Sequence, residues 1–269
     1  MREQRLVFGE DPDLYDRARP SYPAALVDDV VGMAGASARA LDIGCGTGKA
    51  TVLLAARGLS GTCVEADPAM AEVARRNLAL YPNWQIDVND FETWEPLQGR
   101  GDFDLACCAQ AWHWLDPAVR LHKAHDLLRT GGWLALWWNR PGHGDGSAAD
   151  GSVTGALGAT TVAQQIDQVY EEVAPHIAAK AGIGLKGDHH DEVIPPGLSF
   201  GVPVRRSYPW VKEYTADEWV ALLRTQSDHR LLPSEQLDQL SERVRQVLLA
   251  AGGVYRHHYV CSLWAVQKV

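Results

Sequence analysis

Arg39-Ala40-Leu41-Asp42-Ile43-Gly44-Cys45-Gly46-Thr47-Gly48-Lys49-Ala50-Thr51 is the stretch whose reading decides the fold. An apolar run that stops at an acid and passes into alternate glycines reads as a buried strand, a tight turn and the start of a helix. Backbone amides and a carboxylate then meet at the carboxyl end of a strand, where open α/β sheets bind their ligands.

Spacing separates the glycine motifs that compete for this turn. The dinucleotide fingerprint G-x-G-x-x-G wants its third glycine where Lys49 stands. A P-loop wants a glycine where Ile43 stands and a Ser or Thr in place of Ala50. What remains is D-x-G-x-G-x-G. Its acid, Asp42, is poorly placed to hold a pyrophosphate and well placed to meet an ammonium group, which suits a zwitterionic amino-acid tail.

Outward from the turn, Ala50 to Arg57 reads as a helix ended by Gly58, and Gly61 to Asp67 as the second strand. Glu65 stands at that strand's end, 21 residues past Gly44, the spacing at which nucleotide-binding α/β proteins place an acid for both ribose hydroxyls. Asp67-Pro68 reads as the cap of a helix reaching Leu80. Trp84 to Val88 alternates as a third strand, and Asn89-Asp90-Phe91 after it offers a carboxylate and a ring face, as an adenine requires. Asp102 to Gln110 is the fourth strand and delivers Ala111-Trp112-His113-Trp114-Leu115 to the same edge. Two indoles around a histidine at a strand exit suit a pocket for an organic molecule. Asp116-Pro117 caps a helix to Arg129, Gly131-Gly132 punctuates, and Trp133 to Trp138 is a fifth strand ending at Asn139-Arg140. Five strand-helix alternations imply a parallel sheet with helices on both faces.

Ahead of the turn, Leu14 to Pro23 reads as a proline-broken covering segment and Ala24 to Met33 as a helix. Beyond the fifth strand, 141–160 reads as a flexible Gly/Ser/Asp-rich loop and Thr161 to Ala179 as a helix. Pro203 to Tyr214 reads as a strand, Thr215 to Glu218 as a capping box, and a further helix follows Pro233. Gly252-Gly253 leads into a last strand, Val254 to Gln267, expected to pair antiparallel with the Val204 to Trp210 strand.

The 269 residues are 46% apolar and 22% charged, an ordinary globular composition with room for a sizeable core. A formal charge of −9 without a Lys/Arg cluster argues against a nucleic-acid partner. Met1 to Arg5 shows neither signal peptide nor membrane span, so a cytoplasmic location is the default expectation. The five cysteines read as small buried thiols rather than metal or disulfide partners. His189-His190-Asp191 and His257-His258 lack metal-ligand spacing, and no metal is expected.

Leu41-Asp42-Ile43-Gly44-Cys45-Gly46-Thr47-Gly48 resembles motif I of class I S-adenosylmethionine-dependent methyltransferases, and Gln110-Ala111-Trp112-His113-Trp114 is similar to the Gln-Ala-x-His-Trp signature of the trans-aconitate-methyltransferase-like branch. The segment Tyr15-Asp16-Arg17-Ala18-Arg19-Pro20-Ser21-Tyr22-Pro23 resembles one that lies over the cofactor in the related small-molecule enzymes. The resemblance covers most of the chain. It implies a Rossmann-like, seven-stranded, mostly parallel sheet with a C-terminal antiparallel strand pair, in one domain. Its expected parts are a cap segment and helix over 1–36, a cofactor-binding half over 37–140, the loop 141–160, and an acceptor side over 161–269. The cofactor implied is S-adenosyl-L-methionine, with S-adenosyl-L-homocysteine as product. The implied cofactor contacts are Tyr15, Arg19, Asp42, Gly44, Gly46, Thr47, Gly48, Glu65, Ala66, Asp90, Phe91, Ala109 and Gln110.

Methyl transfer from a sulfonium is an in-line displacement, so alignment supplies most of the catalysis. An alcohol, phenol or carbon acid must also lose a proton, and His113 is the candidate base. Expected acceptor walls are Trp112, His113, Trp114, Trp138 and Asn139, with Tyr214, Trp219 and His229 from the later half. The leading expectation is a methyltransferase acting on a small organic metabolite at oxygen, sulfur, nitrogen or carbon. An RNA or protein acceptor, a cofactor-binding protein that transfers no methyl group, and a nicotinamide oxidoreductase are the alternatives; the oligomeric state is left open.

Overall fold

The computed structural model describes residues 4–96, 101–142, 161–178 and 192–269. Seven strands form one sheet in the order β3-β2-β1-β4-β5-β7-β6: β1 (Arg39–Ile43), β2 (Ser60–Glu65), β3 (Trp84–Val88), β4 (Phe103–Ala109), β5 (Leu128–Pro141), β6 (Val204–Thr215) and β7 (Val254–Gln267). β1 pairs parallel with both β2 and β4, β2 with β3, and β4 with β5. The last strand runs the other way. Gly131 donates its amide to Lys268 O at 2.8 Å and Gly142 to His258 O at 2.8 Å, so numbers rise on β5 as they fall on β7. Gly201 bonds Gln267 O and Ala216 bonds Gly253 O, which closes β6 and β7 as the expected antiparallel pair.

The central parallel strands β1, β2 and β4 are buried almost throughout, as strands flanked by helices are. The helices are α2 (Ala24–Ala34), α3 (Lys49–Ala55), α4 (Pro68–Asn77) and α5 (Arg120–Leu127). α4 starts as its sequence requires: the Asp67 carboxylate accepts from Ala69 N and Met70 N, and Pro68 fills the first turn. It ends at Asn77, short of Leu80, whose side chain is exposed.

Two compact units divide the chain. Among the described residues, the sheet unit takes 21–96, 101–140, 192–208 and 260–269, and the helical unit takes 4–20, 141–142, 161–178 and 209–259. The sheet unit packs Leu41, Ile43, Phe103, Leu127, Leu134, Leu136 and Trp264 into its core. In the helical unit, α6 (Val162–Val173), α7 (Ala216–Arg224) and α8 (Ser234–Ala250) bury Ile166, Val169, Trp219, Leu222, Leu240 and Val244 together. Thr161 with Gln164 and Thr215 with Glu218 form capping boxes; the second was expected, the first was not.

The structure corrects three local readings. Pro12–Ala18 is a helix, α1, capped by the Asp11 carboxylate on Leu14 N, where a helix-free segment is expected. The signal is the same Asp-Pro pair that opens α4. β5 begins at Leu128 and runs through Gly131-Gly132, which is not a break: the register against β4 shifts there, between Phe103 and Leu105. A Cβ on Gly132 would lie 2.9 Å from the carbonyls of Arg129 and Phe103. α5 starts at Arg120, because the Asp116 carboxylate turns on Ala118 N one turn earlier. The expected loop over 141–160 and the His189-His190-Asp191 cluster lie outside the described residues, apart from Pro141 and Gly142.

All five cysteines are buried free thiols. Among the described residues no cluster of His, Cys, Asp and Glu has metal-ligand geometry, and no helix is long and apolar enough to cross a membrane.

Candidate functional site

The carboxyl ends of β1, β2, β3, β4 and β5 line up, and the ladder bonds continue into the loops that follow them. Gly44 N reaches Val64 O at 2.8 Å, Asn89 N reaches Glu65 O at 3.0 Å and Gln110 N reaches Trp137 O at 3.0 Å. The loops carrying the candidate residues are therefore extensions of the sheet and share its rigidity.

The turn after β1 needs its glycines. Gly44 has φ 66°, and a Cβ there would sit 2.8 Å from Ala111 Cβ on the loop after β4. Gly46 (φ 59°) and Gly48 (φ 80°) repeat the left-handed conformation. Glu65 organises the turn from below. One carboxylate oxygen accepts from Gly46 N at 2.8 Å and the other from Asp67 N at 2.9 Å. Burial pushes its pKa up, against the lowering pull of those two amides.

Asp42 is fully buried. Thr51 Oγ1 donates to one of its oxygens at 2.6 Å, while the other has no nitrogen or oxygen partner and the Cys107 thiol lies beside the carboxylate. Burial raises its pKa to about 6, and the nearby Glu65 charge adds to the rise. Thr47 is also buried: its carbonyl accepts from Asn77 Nδ2 at 2.9 Å, but its hydroxyl has no partner. An orphaned carboxylate oxygen and an orphaned hydroxyl in one glycine turn are two groups that a polar ligand can satisfy. The residues present thus fit the amino-acid tail of S-adenosylmethionine, with Glu65 beside it for the ribose. Ala66 is exposed at the end of β2.

Beyond β3, Asp90 is exposed while its carbonyl accepts from Trp94 N at 2.9 Å. The expectation of an open ring face at Phe91 is corrected. Phe91 is 3% exposed, sits in the sheet-unit core and carries the Lys123 ammonium 5.6 Å from its centroid.

Beyond β4, Ala109 is half-buried and Gln110 takes φ 66°, a conformation that a side-chain-bearing residue adopts at a cost of about 1 kcal/mol or more. Gln110 donates weakly to Asn139 O at 3.4 Å, and Asn139 Nδ2 donates to Ser21 O at 2.8 Å. Asn139 is thus a clip that ties the end of β5 to the segment before α2. Tyr22 supports the clip edge-on against Trp137 at 6.0 Å.

The two tryptophans around His113 have opposite fates. Trp112–Trp114 is one 3-10 turn that points Trp112 into the core, 1% exposed. There Arg120 lies 5.5 Å from the indole centroid, donates to Trp112 O at 3.0 Å and pairs with Glu192 at 2.7 Å. Trp112 and Trp138, 4% exposed, are core residues, which corrects their reading as pocket walls. His113 is exposed, and Trp114, 4.6 Å away ring to ring, is half-buried.

The remaining candidates belong to the helical unit. The Arg19 guanidinium lies over Tyr15 at 5.0 Å and Phe8 at 5.9 Å and donates to Thr225 O at 2.7 Å, while its buried Nε has no partner. Tyr214 is 1% exposed, its hydroxyl 2.8 Å from that of Tyr259 and its ring against Trp219 at 5.3 Å. His229 is 5% exposed and bonded at both ring nitrogens, to Tyr170 and Asp228. Tyr214, Trp219 and His229 are therefore packed and, for the first and last, hydrogen-bonded within this unit; the expectation of open acceptor walls is corrected for all three. Sequence reasoning missed the Asn139 clip, the Thr51 bond to Asp42 and the Tyr170 partner of His229. Only the adjacency Asp228-His229 carried any signal.

Residues 40–132 match the family profile described as a methyltransferase domain. The uncharacterized methyltransferase Rv3342 of Mycobacterium tuberculosis is 39% identical over 138 residues, 51% of this chain and 54% of that one. Trans-aconitate 2-methyltransferase of Methylobacterium radiotolerans is 32% identical over 165 residues, 56% of this chain and 61% of that one. The chain thus spans little more than half the length of the curated relatives it matches. A solved structure from Anaeromyxobacter dehalogenans, assigned as a type II methyltransferase, superposes with a TM-score of 0.56 at 21% identity, covering 93% of this chain and 98% of that one. Residues 40–132 are thus similar to a methyltransferase domain, and the seven-stranded chain shares the fold of the Anaeromyxobacter dehalogenans structure.

Proposed function

We propose that this chain is an S-adenosylmethionine-dependent methyltransferase whose acceptor is a small organic molecule. The observation that carries the reading is the turn after β1, where Glu65 braces the Gly46 and Asp67 amides while Asp42 Oδ1 and Thr47 Oγ1 stand buried without partners. When bound, the cofactor supplies a methyl group on a sulfonium, an electrophile that an aligned nucleophile displaces. The chain's own residues do the rest. Asp42 and the glycine-turn amides hold the amino-acid tail, Glu65 accepts from the ribose, and Asp90 accepts from the adenine amino group. Because these loops extend the sheet ladder, they fix the donor before the acceptor arrives, which is where alignment contributes most to rate.

A net charge of −9 opposes an RNA partner, and the relatives include a trans-aconitate methyltransferase. His113 and Trp114 are the groups at the strand edge with surface to offer an acceptor. A thiolate or carboxylate needs only positioning there; a hydroxyl needs a base, and His113 is the edge's candidate.

Calorimetric titration with S-adenosylhomocysteine tests the reading, using wild type, Glu65→Gln and His113→Ala. Glu65→Gln is chosen over alanine because Glu65 also holds the turn. Wild type should bind, Glu65→Gln should bind at least about tenfold more weakly, the loss expected for one charge-assisted hydrogen bond, and His113→Ala should bind normally but lose most turnover. A folded wild type that does not bind would end the methyltransferase reading, and unchanged turnover in His113→Ala would remove His113 from the chemistry.

A further inference from the structure

Asp42 is held at the end of β1 without a cation. The sheet places it in one row with Cys63 of β2 and Cys107 of β4, its register partners on either side. Thr51 of α3 covers that row. Its hydroxyl lies 2.6 Å from Asp42 Oδ2 and 3.5 Å from Cys63 Sγ, and the Cys107 thiol meets the carboxylate from the other strand. Asp42 and Thr51 are fully buried, and Asp42 makes no ion pair among the described residues. All of these residues lie in the sheet unit.

Once Asp42 is ionised, its contacts have one possible order. A carboxylate only accepts, so the single hydroxyl proton of Thr51 goes to Asp42 and the Cys63 S–H turns to the Thr51 oxygen. Thr51 is then the strongest donor that reaches the charge, since thiols donate weakly. Burial opposes the charge most, and the Glu65 carboxylate adds repulsion. The other titratable groups around it are the thiols of Cys45, Cys63, Cys107 and Cys108, which carry no positive charge in any protonation state. An acid so placed is favoured as the neutral carboxyl until a cation arrives. The cation need not touch it, because attraction between opposite charges acts at a distance and is strongest where water is excluded.

We propose that an ammonium-bearing ligand binds at this turn with release of the Asp42 proton, and that Thr51 is the positioning residue that sets how readily Asp42 gives it up. This deepens the methyltransferase reading and rests on it: the cation is the ammonium of the cofactor's amino-acid tail. The Asp42 O–H bond breaks, its electron pair stays on the carboxylate and the proton leaves to solvent. Thr51 keeps its own proton and donates to the new charge. Affinity then depends on pH. With the free carboxyl titrating at about 6, a tail-bearing ligand binds fully above that value and loses up to about tenfold per pH unit below it, the slope for one coupled proton.

The test titrates S-adenosylhomocysteine calorimetrically into wild type, Thr51→Val and Thr51→Ser from about pH 5 to about pH 8. Each titration is run in two buffers of different ionisation enthalpy, so that released protons are counted. The control ligand is 5′-methylthioadenosine, which shares the ribose and adenine but lacks the tail. Wild type should release about one proton per S-adenosylhomocysteine at the acid end and about none at the alkaline end, whereas methylthioadenosine should release fewer. Thr51→Val, which keeps the shape and drops the hydroxyl, should move the acidic limb up by about one pH unit, the effect of one charge-assisted hydrogen bond. Thr51→Ser should return it. Ligand-free melts of Thr51→Val should show the same upward move in the window where stability falls with pH. Should Thr51→Val fail to fold, Thr51→Cys, with a weaker donor at the same place, should move the limb the same way by less. Equal proton release for both ligands would assign the limb to the ribose contacts and overturn the proposal. So would a level S-adenosylhomocysteine affinity across the range, or a limb that Thr51→Val leaves where it was. A wild type that binds no S-adenosylhomocysteine at any pH would fail the underlying reading instead, and the proton coupling with it.

Discussion

Replacing Gly44 by alanine tests whether the turn after β1 is as tightly determined as its geometry implies. At φ 66° the alanine sits in the left-handed region, which costs an L-residue about 1–2 kcal/mol. Its Cβ would also stand 2.8 Å from Ala111 Cβ. Both atoms are fixed to backbone, so neither can swing away, and relieving such overpacking costs about 1–3 kcal/mol. The sum is about 2–5 kcal/mol, and at about 2–4 °C per kcal/mol for a chain of this size the melting temperature should fall by about 4–20 °C. Calorimetric melts of Gly44→Ala, Ala111→Gly and the double variant separate the two parts. Ala111→Gly removes the opposing atom, so the double-mutant cycle should return a favourable coupling of about 1–3 kcal/mol and leave only the backbone cost. A single variant that loses less than about 1 kcal/mol, or a coupling near zero, would refute the close approach of the two loops.

Asp42 sets a pH dependence. Its carboxyl titrates at about 6 when folded against an ordinary 3.8, so the folded state binds the proton more tightly and stability falls as pH rises from about 4 to about 6. Asp42→Asn should flatten that window in denaturant melts and gain up to about 3 kcal/mol at neutral pH. Asn139→Ala should free the Ser21 carbonyl at a cost of about 1 kcal/mol and raise amide exchange over 21–22 about fivefold, with an unchanged rate arguing against the clip. Gln110→Gly should stabilise by about 0.5–1 kcal/mol by removing the left-handed strain, since the 3.4 Å bond it loses is weak; destabilisation would mean that the side chain carries more than its geometry shows.

The strand edge was legible because each of its signals is local. Glycine spacing, an acid at a strand end and an Asp-Pro cap all act within a few residues, and the five parallel strands followed from them. Errors arose where a local signal had two meanings. Gly131-Gly132 reads as a break in sequence but lies inside β5, because only the carbonyls packed on Gly132, Phe103 O across the sheet and Arg129 O on its own strand, tell the two apart. Asp11-Pro12 opens a helix by the same rule as Asp67-Pro68, yet the prolines at 20 and 23 drew the reading towards extended chain.

The side-chain roles at the edge were less legible, because burial is a tertiary property. Trp112 and Trp114 stand two residues apart in the same short turn, and nothing local says which enters the core. The decision comes from Arg120, eight residues on, whose guanidinium covers Trp112 and is neutralised by Glu192, a residue from the far side of the chain. The same holds for His229, whose partner Tyr170 lies 59 residues earlier.

Glu65 shows how binding and stability become one quantity at such an edge. Both its oxygens already hold loop amides, Gly46 N on one and Asp67 N on the other, so the acid read as a ribose anchor is first the brace of the turn. Each carboxylate oxygen has a second lone-pair direction, and a diol that takes both adds to the brace without displacing it. Removing the acid therefore leaves two buried amides unpaired before any ligand is considered, whereas Glu65→Gln keeps one acceptor and adds a donor where Gly46 or Asp67 already presents one. A ligand that restores part of the lost stability of Glu65→Gln would show that turn and ligand share this acid. A ligand that binds the variant as tightly as wild type, while the variant alone melts lower, would show that Glu65 serves the turn and nothing else.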